Sequence, residues 1–222
     1  MSRRARAHAV RTLLALLLAL LGAVAAEAAG PRGRSEALTG LDARDAETRR
    51  LAAAELAEYG TMSDVPRLAR ALRDPDPLVR AITERSLWEV WSRSGDLEID
   101  ALFANGVQEM TEGLGETAVR TFTRIIERRP DFAEGWNKRA TVLYMLGQYQ
   151  KSLADCDEVM KRNPYHFGAL SGYGMIYLKL GDPGRALGYF ERALSVNPNL
   201  IQVEETAQAL RRLLIERRKD TI

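Results

Sequence analysis

Three observations predict an all-α protein built of internal repeats. Ala, Leu, Arg and Glu dominate the 222 residues and proline is scarce, a composition that favours helix over sheet. From about residue 41 to the C-terminus the apolar positions keep a helical period, interrupted only by short turns. In the second half, marks recur every 34 residues: Pro130, Pro164 and Pro198; Gly113, Gly147 and Gly181; Ala118, Ser152 and Ala186. Phe122, Cys156 and Phe190 keep the same interval, as do Gly106, Ala140 and Gly174. So many independent marks in one register predict a repeat architecture.

Taken in order, residues 1–28 show the secretory pattern. A basic stretch, Met1 to Arg11, precedes an apolar run from Thr12 to Ala26 of about 15 residues, short of the roughly 20 that span a bilayer. Small-x-small sites at Ala23-Val24-Ala25 and Ala26-Glu27-Ala28 predict cleavage after Ala25 or Ala28; an uncleaved anchor is the alternative. No cysteine directly follows the run, so a lipoprotein anchor is not expected. The reading is export to a bacterial periplasm, with no membrane span after cleavage. The basic character, net +2, belongs to this segment. Taking four arginines and Glu27 from 32 basic and 30 acidic residues leaves 28 against 29. A near-neutral chain lacks the concentrated positive field that nucleic acid or anionic lipid requires.

Residues 29–40, rich in Gly, Ala and polar residues, read as a flexible lead-in. Residues 41–95 carry a second register of about 31. Asp45 to Leu51 aligns with Asp76 to Ile82, and Leu56 with Leu87. Asp76 before Pro77 is an N-cap with proline in the first turn. Between the two copies, Ser63 to Arg73 predicts a helix with Val65, Leu68, Ala69 and Leu72 on one face. The pattern resembles short HEAT-type repeats. With only about one and a half units, the segment is expected to stack on the 34-residue repeats through Leu87, Trp88 and Trp91.

The 34-residue register resembles the tetratricopeptide repeat, with units at about 99–132, 133–166 and 167–200 within residues 98–200. Trp136 and Leu143 in the second unit fit the family pattern. The resemblance implies a right-handed helical-hairpin solenoid of three units. The marks make independent physical sense. Small residues let paired helices approach, Phe122 and Phe190 fill the space beside them, and Gly147 and Gly181 suit a left-handed turn. Asp182 with Pro183 caps a second helix, and each proline ends one. The first unit is the most degenerate, with Glu109 at an apolar position and Gly115 in the turn. Residues 201–218 predict an amphipathic capping helix, with Leu200, Val203, Ala207, Leu210 and Leu214 near one face. A helix docked in the protein's own groove or in a partner is the alternative.

Catalytic groups are sparse. Past residue 28 one histidine, His166, and one cysteine, Cys156, remain, and they are not spaced as a base and nucleophile. Cys156 falls at a packing position and reads as a buried, inert thiol. HExxH, CxxC, GxSxG and phosphate-loop patterns are absent; Gly181-Asp182-Pro183-Gly184 is a turn. Asp155 and Asp157 point to different helix faces. The reading is no enzyme, no catalytic residue, no cofactor and no metal.

By resemblance, the first helix of each unit lines a concave groove that contacts another protein or peptide. The first unit contributes Phe103, Val107 and Met110. The second contributes Asn137, Lys138, Thr141, Tyr144 and Met145, and the third Ser171, Met175, Leu178 and Lys179. Family members that clamp a C-terminal carboxylate use basic and amide residues where this chain has Phe103, Val107, Lys138, Gly168 and Gly172, so no such clamp is expected. The Met- and Leu-rich groove suits an apolar or amphipathic segment. Some of these residues can instead pack against the N-terminal helices or the terminal helix. The function read from the sequence is therefore a non-enzymatic exported adaptor or scaffold. The alternative is a structural homo-oligomer assembled through the terminal helix or the Trp88/Trp91 region.

Overall fold

The computed structural model describes residues 33–219; the expected signal segment lies outside them. The described residues form α-helices and one 3-10 turn, with no strand among them. The first is α1 (Arg34–Gly40), where a flexible lead-in was expected over 29–40. Its seven residues lack a helical apolar period, but Ala37 is fully buried against α2 (Ala46–Tyr59). Arg34 pins it from outside through a two-pronged bond to Asp64, at 2.6 and 2.7 Å.

A 3-10 turn at Met62–Asp64 leads into α3 (Val65–Ala71), which packs on α4 (Pro77–Trp91) as α1 packs on α2. The 31-residue register thus corresponds to two helix pairs instead of one and a half. Asp45 and Asp76 cap α2 and α4, accepting from the backbone N–H groups of Thr48 and of Leu78 and Val79. Burial of Ala37, Leu56, Leu68, Leu87 and Val90 joins the four helices.

Three hairpins come next: α5 (Leu97–Thr111) with α6 (Gly115–Arg128), α7 (Ala133–Met145) with α8 (Tyr149–Arg162), and α9 (Phe167–Lys179) with α10 (Pro183–Val196). The turn glycines Gly113, Gly147 and Gly181 all adopt left-handed φ, from 73° to 77°, which a side chain would strain. Within hairpins the small-residue positions act as expected: Ser152 reaches across and its hydroxyl donates to the Ala140 carbonyl at 2.7 Å. Phe122 and Phe190 are fully buried. The degenerate first unit is regular in structure. Finally α11 (Ile201–Lys219) lays Val203, Ala207 and Leu210 on Ala186 and Phe190 of α10, the packing expected of a cap.

The N-terminal helices join the hairpins along the edge that holds the inter-repeat turns. Arg49 grips Asp74 of the next helix pair at 2.7 and 2.9 Å. Its counterpart 31 residues on, Arg80, grips Asn199 Oδ1 at 2.8 Å. Asn199 in turn donates to the Leu72 carbonyl at 2.8 Å. The hairpin array therefore takes the place of a further N-terminal unit.

Candidate functional site

The start of α7 holds a buried polar knot. Glu134 and His166 are both completely buried. His166 caps α9: its Nδ1 accepts from the Ala169 N–H at 3.0 Å, which leaves the proton on Nε2. That nitrogen donates to Glu134 Oε1 at 2.5 Å, and Asn137 Nδ2 donates to both carboxylate oxygens at 3.0 and 3.2 Å. Lys138 Nζ stands 3.8 Å from Oε2. Burial pushes the Glu134 carboxyl pKa up, but His166, Lys138 and Asn137 outweigh it and hold the group below the usual carboxylate range.

Helix α4 closes this knot. Trp91 stacks on the His166 ring at 4.5 Å, and Trp88 meets His166 and Phe167 edge-on at 5.5 and 5.3 Å. Lys138 Nζ lies 5.8 Å from the Trp88 ring centre. Trp88 comes so close to Gly168 that a Cβ there would lie 2.6 Å from its ring. Gly168 and Lys138 are two of the positions that the resemblance equates with those of a carboxylate clamp. Here an indole covers them.

The expected groove residues separate into three groups. Phe103 is only 8% exposed and packs edge-on against Phe122 and Phe132. Asn137 is likewise buried, and its amide is committed to Glu134. Half-buried packing residues form the next group. Val107 and Met110 lie on the Phe103 cluster, Tyr144 against Tyr149, and Leu178 on the cluster that α11 completes. Lys138 also belongs here, and Ser171 returns its hydroxyl to the Phe167 carbonyl at 2.8 Å. The last group is open: Thr141, Met145, Met175 and Lys179, with the two methionines 63% and 42% exposed. They sit on the second half of α7 and α9, away from Trp88.

Sequence reasoning missed the Glu134–His166 pair, although both residues sit close to an inter-repeat turn, 32 residues apart. It also missed a cleft between the α4–α5 connection and the turns after α6 and α8, lined by Arg93, Arg129 and Arg162. The two aspartates beside Cys156 do diverge. Asp155 takes a two-pronged bond from Arg139 at 2.8 Å, and Asp157 accepts from the Tyr173 hydroxyl. Burial, with both aspartates adding, pushes the Cys156 thiol up to about 12. Among the described residues no group of three or more His, Cys, Asp or Glu is placed to hold a metal, and no helix is long and apolar enough to cross a membrane.

Paired helices in a 34-residue register, each with a left-handed glycine at its turn, define a helical-repeat solenoid. Residues 131–199 match the tetratricopeptide repeat family. A TPR repeat-containing protein of Rhizobium etli is 34% identical over 145 residues, covering 65% of this chain and 68% of that protein. This chain belongs to the tetratricopeptide repeat family. Subunit 3 of the fission yeast (Schizosaccharomyces pombe) anaphase-promoting complex is 30% identical over 82 residues, 37% of this chain but only 12% of that much longer protein. Among solved structures, the Sgt2 TPR domain of Aspergillus fumigatus superposes with a TM-score of 0.52 at 19% identity, covering 55% of this chain and 82% of that one. The first TPR domain of Spaghetti (RPAP3), bound to an HSP90 peptide, gives 0.51 at 20% identity over 53% of this chain and 93% of its own. At such identities the likeness is one of fold.

Proposed function

We propose that this protein is a non-enzymatic, exported adaptor that holds an apolar or amphipathic polypeptide segment against the open half of its concave face. The observation that carries the reading is the exposure of Met145 and Met175 on neighbouring first helices, with Thr141 and Lys179 beside them. Flexible thioethers adapt to varied apolar partners, and a row of first helices presents them on a fixed spacing. The Spaghetti domain, itself bound to an HSP90 peptide, supports this class of use. Against chemistry stand the buried His166 and the buried Cys156. Export rests on the basic stretch and apolar run of residues 1–28.

A photocrosslinking residue placed at Met145 or Met175 in the native cell tests the binding reading. It should capture a discrete polypeptide that the same residue at exposed Leu78 does not. Equal capture from all three positions would refute it. Sequencing the N-terminus of protein from cell fractions tests export, with a start at residue 26 or 29 in the envelope fraction expected.

A second reading, self-assembly, has lost one of its two surfaces, because Trp91 is buried and Trp88 half-buried within the chain. The terminal helix keeps it alive through exposed Ile201 and Ile215. Light scattering across a hundredfold dilution separates the two readings.

A further inference from the structure

The inter-repeat turns place Arg129, Asn163 and Asn197 in one register, 34 residues apart. After α10 the turn is complete. Buried Asn197 accepts the Asn199 N–H on Oδ1 at 3.0 Å, and its Nδ2 donates to Glu84 Oε2, supplied by α4, at 3.0 Å. After α8 the same turn is built on Asn163, whose Oδ1 accepts the Tyr165 N–H at 3.2 Å. Its Nδ2, however, is buried without a partner, and so is the indole N–H of Trp91. The two residues are 1% and 2% exposed, and both line a single cleft of about 280 Å³.

The charge lining the cleft around these two orphan donors is predominantly positive. Arg93, Arg129 and Arg162 line the cleft, against one lining carboxylate, Asp131. Arg93 spends its bonds on neutral carbonyls, those of Glu58 and Gly60 at 2.5 and 2.9 Å. Arg129 bonds the Ser94 carbonyl at 3.1 Å and reaches Asp131, on the exposed rim, at 3.3 Å. Arg162 meets the Pro130 carbonyl and the Glu158 side chain, which Lys161 also engages. A buried N–H without an acceptor is costly, and clustered guanidinium groups repel one another unless an anion joins them. The third turn shows which anion satisfies an asparagine in this register: a carboxylate. Guanidinium forks and N–H donors also suit a planar, two-oxygen acceptor.

We propose that this cleft is a carboxylate-binding site, separate from the concave groove, filled by an acidic side chain of a polypeptide or by a small carboxylic acid. The bound carboxylate does for Asn163 what Glu84 does for Asn197, and takes the Trp91 indole N–H as a further donor.

The test reads the indole N–H resonances of the three tryptophans by nitrogen-15 NMR, with the Trp91 peak assigned from Trp91→Phe. Glutarate and acetyl-Ala-Glu-Ala-amide, which carries only a side-chain carboxylate, are titrated separately, with glutaramide as the uncharged control. The expected result is a saturable downfield shift of the Trp91 resonance with one or both acids and none with glutaramide. A response to the peptide alone identifies a polypeptide source, and a response to both admits a free acid. Asn163→Asp, which replaces the donor by a like charge, and Arg93→Gln should each weaken binding by about tenfold or more. Circular dichroism verifies that each variant is folded; should Asn163→Asp unfold, Arg129→Gln takes its place. No saturable shift with either acid, an equal response to inorganic phosphate, or binding undiminished in folded variants would overturn the assignment.

Discussion

The two ends of the first helices α7 and α9 share one repeat register and have opposite surroundings. At the first turns of α7 and α9, Trp88 and Trp91 seal Glu134, His166 and Gly168 against α4. About two to three helical turns further on, Met145 and Met175 stand in the open. Position in the repeat therefore does not decide whether a first-helix residue is covered; what packs on that helix from elsewhere in the chain decides it. The sealed half is a structural interface, and stability measurements should find it. The open half should be nearly silent in stability.

The largest effect is expected at the seal's centre. Trp91→Ala removes an indole that is 2% exposed and stacked on His166, and should cost roughly 3–5 kcal/mol in denaturant unfolding. Should the loss fall below about 1 kcal/mol, the N-terminal helices would not be a working part of the array. Next comes Glu134→Ala, which strips the acceptor from His166 Nε2 and Asn137 Nδ2 and should cost about 1.5–3 kcal/mol.

The same knot sets an acid dependence. The Glu134 pKa is lowered in the folded chain, so its contribution is complete above the unfolded value of 4.5 and is lost as pH falls toward the folded value. Asp64 is lowered too: burial pushes it up, but the bonds from Arg34 and Thr61 together outweigh that. The guanidinium groups of Arg49 and Arg50 lower Asp74 and Asp76. All three aspartates act in the same direction below 3.8. Thermal melts should therefore fall in midpoint below about pH 4.5. Glu134→Gln should flatten the upper part of that decline while leaving the lower part.

A smaller effect is expected at Gly168. A methyl there would lie 2.6 Å from the tip of Trp88 and 3.1 Å from the His166 ring, so Gly168→Ala must displace the indole. A cost of about 1–3 kcal/mol is expected, together with a red shift in tryptophan emission as Trp88 loosens. A blue shift or a stabilised protein would mean that the seal has slack.

How much of this was legible depended on whether the signal was periodic. The three hairpins, the left-handed turns at Gly113, Gly147 and Gly181, and the cap at Asp182 could all be read because the 34-residue marks repeat. So could the docking role of Leu87, Trp88 and Trp91, since a short apolar unit must cover its open face. Helix α1 was not legible: two alanine- and leucine-sized contacts and one arginine order it, and seven residues are too few to show a period. The fate of Phe103 and Asn137 was not legible either. Their register positions match those of Ser171 and its counterparts, and only the neighbouring Phe122, Phe132 and Glu134 turn them inward. The Glu134–His166 bond joins the start of α7 to the cap of α9, and no mark in the 34-residue register pairs a glutamate with that histidine.

The smallest stability effect tests the open half directly. Met145→Ala and Met175→Ala remove side chains that are mostly in water or loosely covered, so each should change unfolding free energy by less than about 0.5 kcal/mol. Any crosslinked partner should nonetheless be lost or weakened, because a thioether contributes to a groove through the apolar area it brings to the partner. Only the two readouts together separate binding from stability. Trp91→Ala, by contrast, should lower capture only in proportion to the folded fraction it leaves. A methionine variant that melts early would place these residues in the core, and the division of these first helices into a sealed and an open half would fail. One that is fully stable yet captures its partner as well as the parent would move the binding surface off α7 and α9, leaving the terminal helix or the arginine-lined cleft to carry recognition.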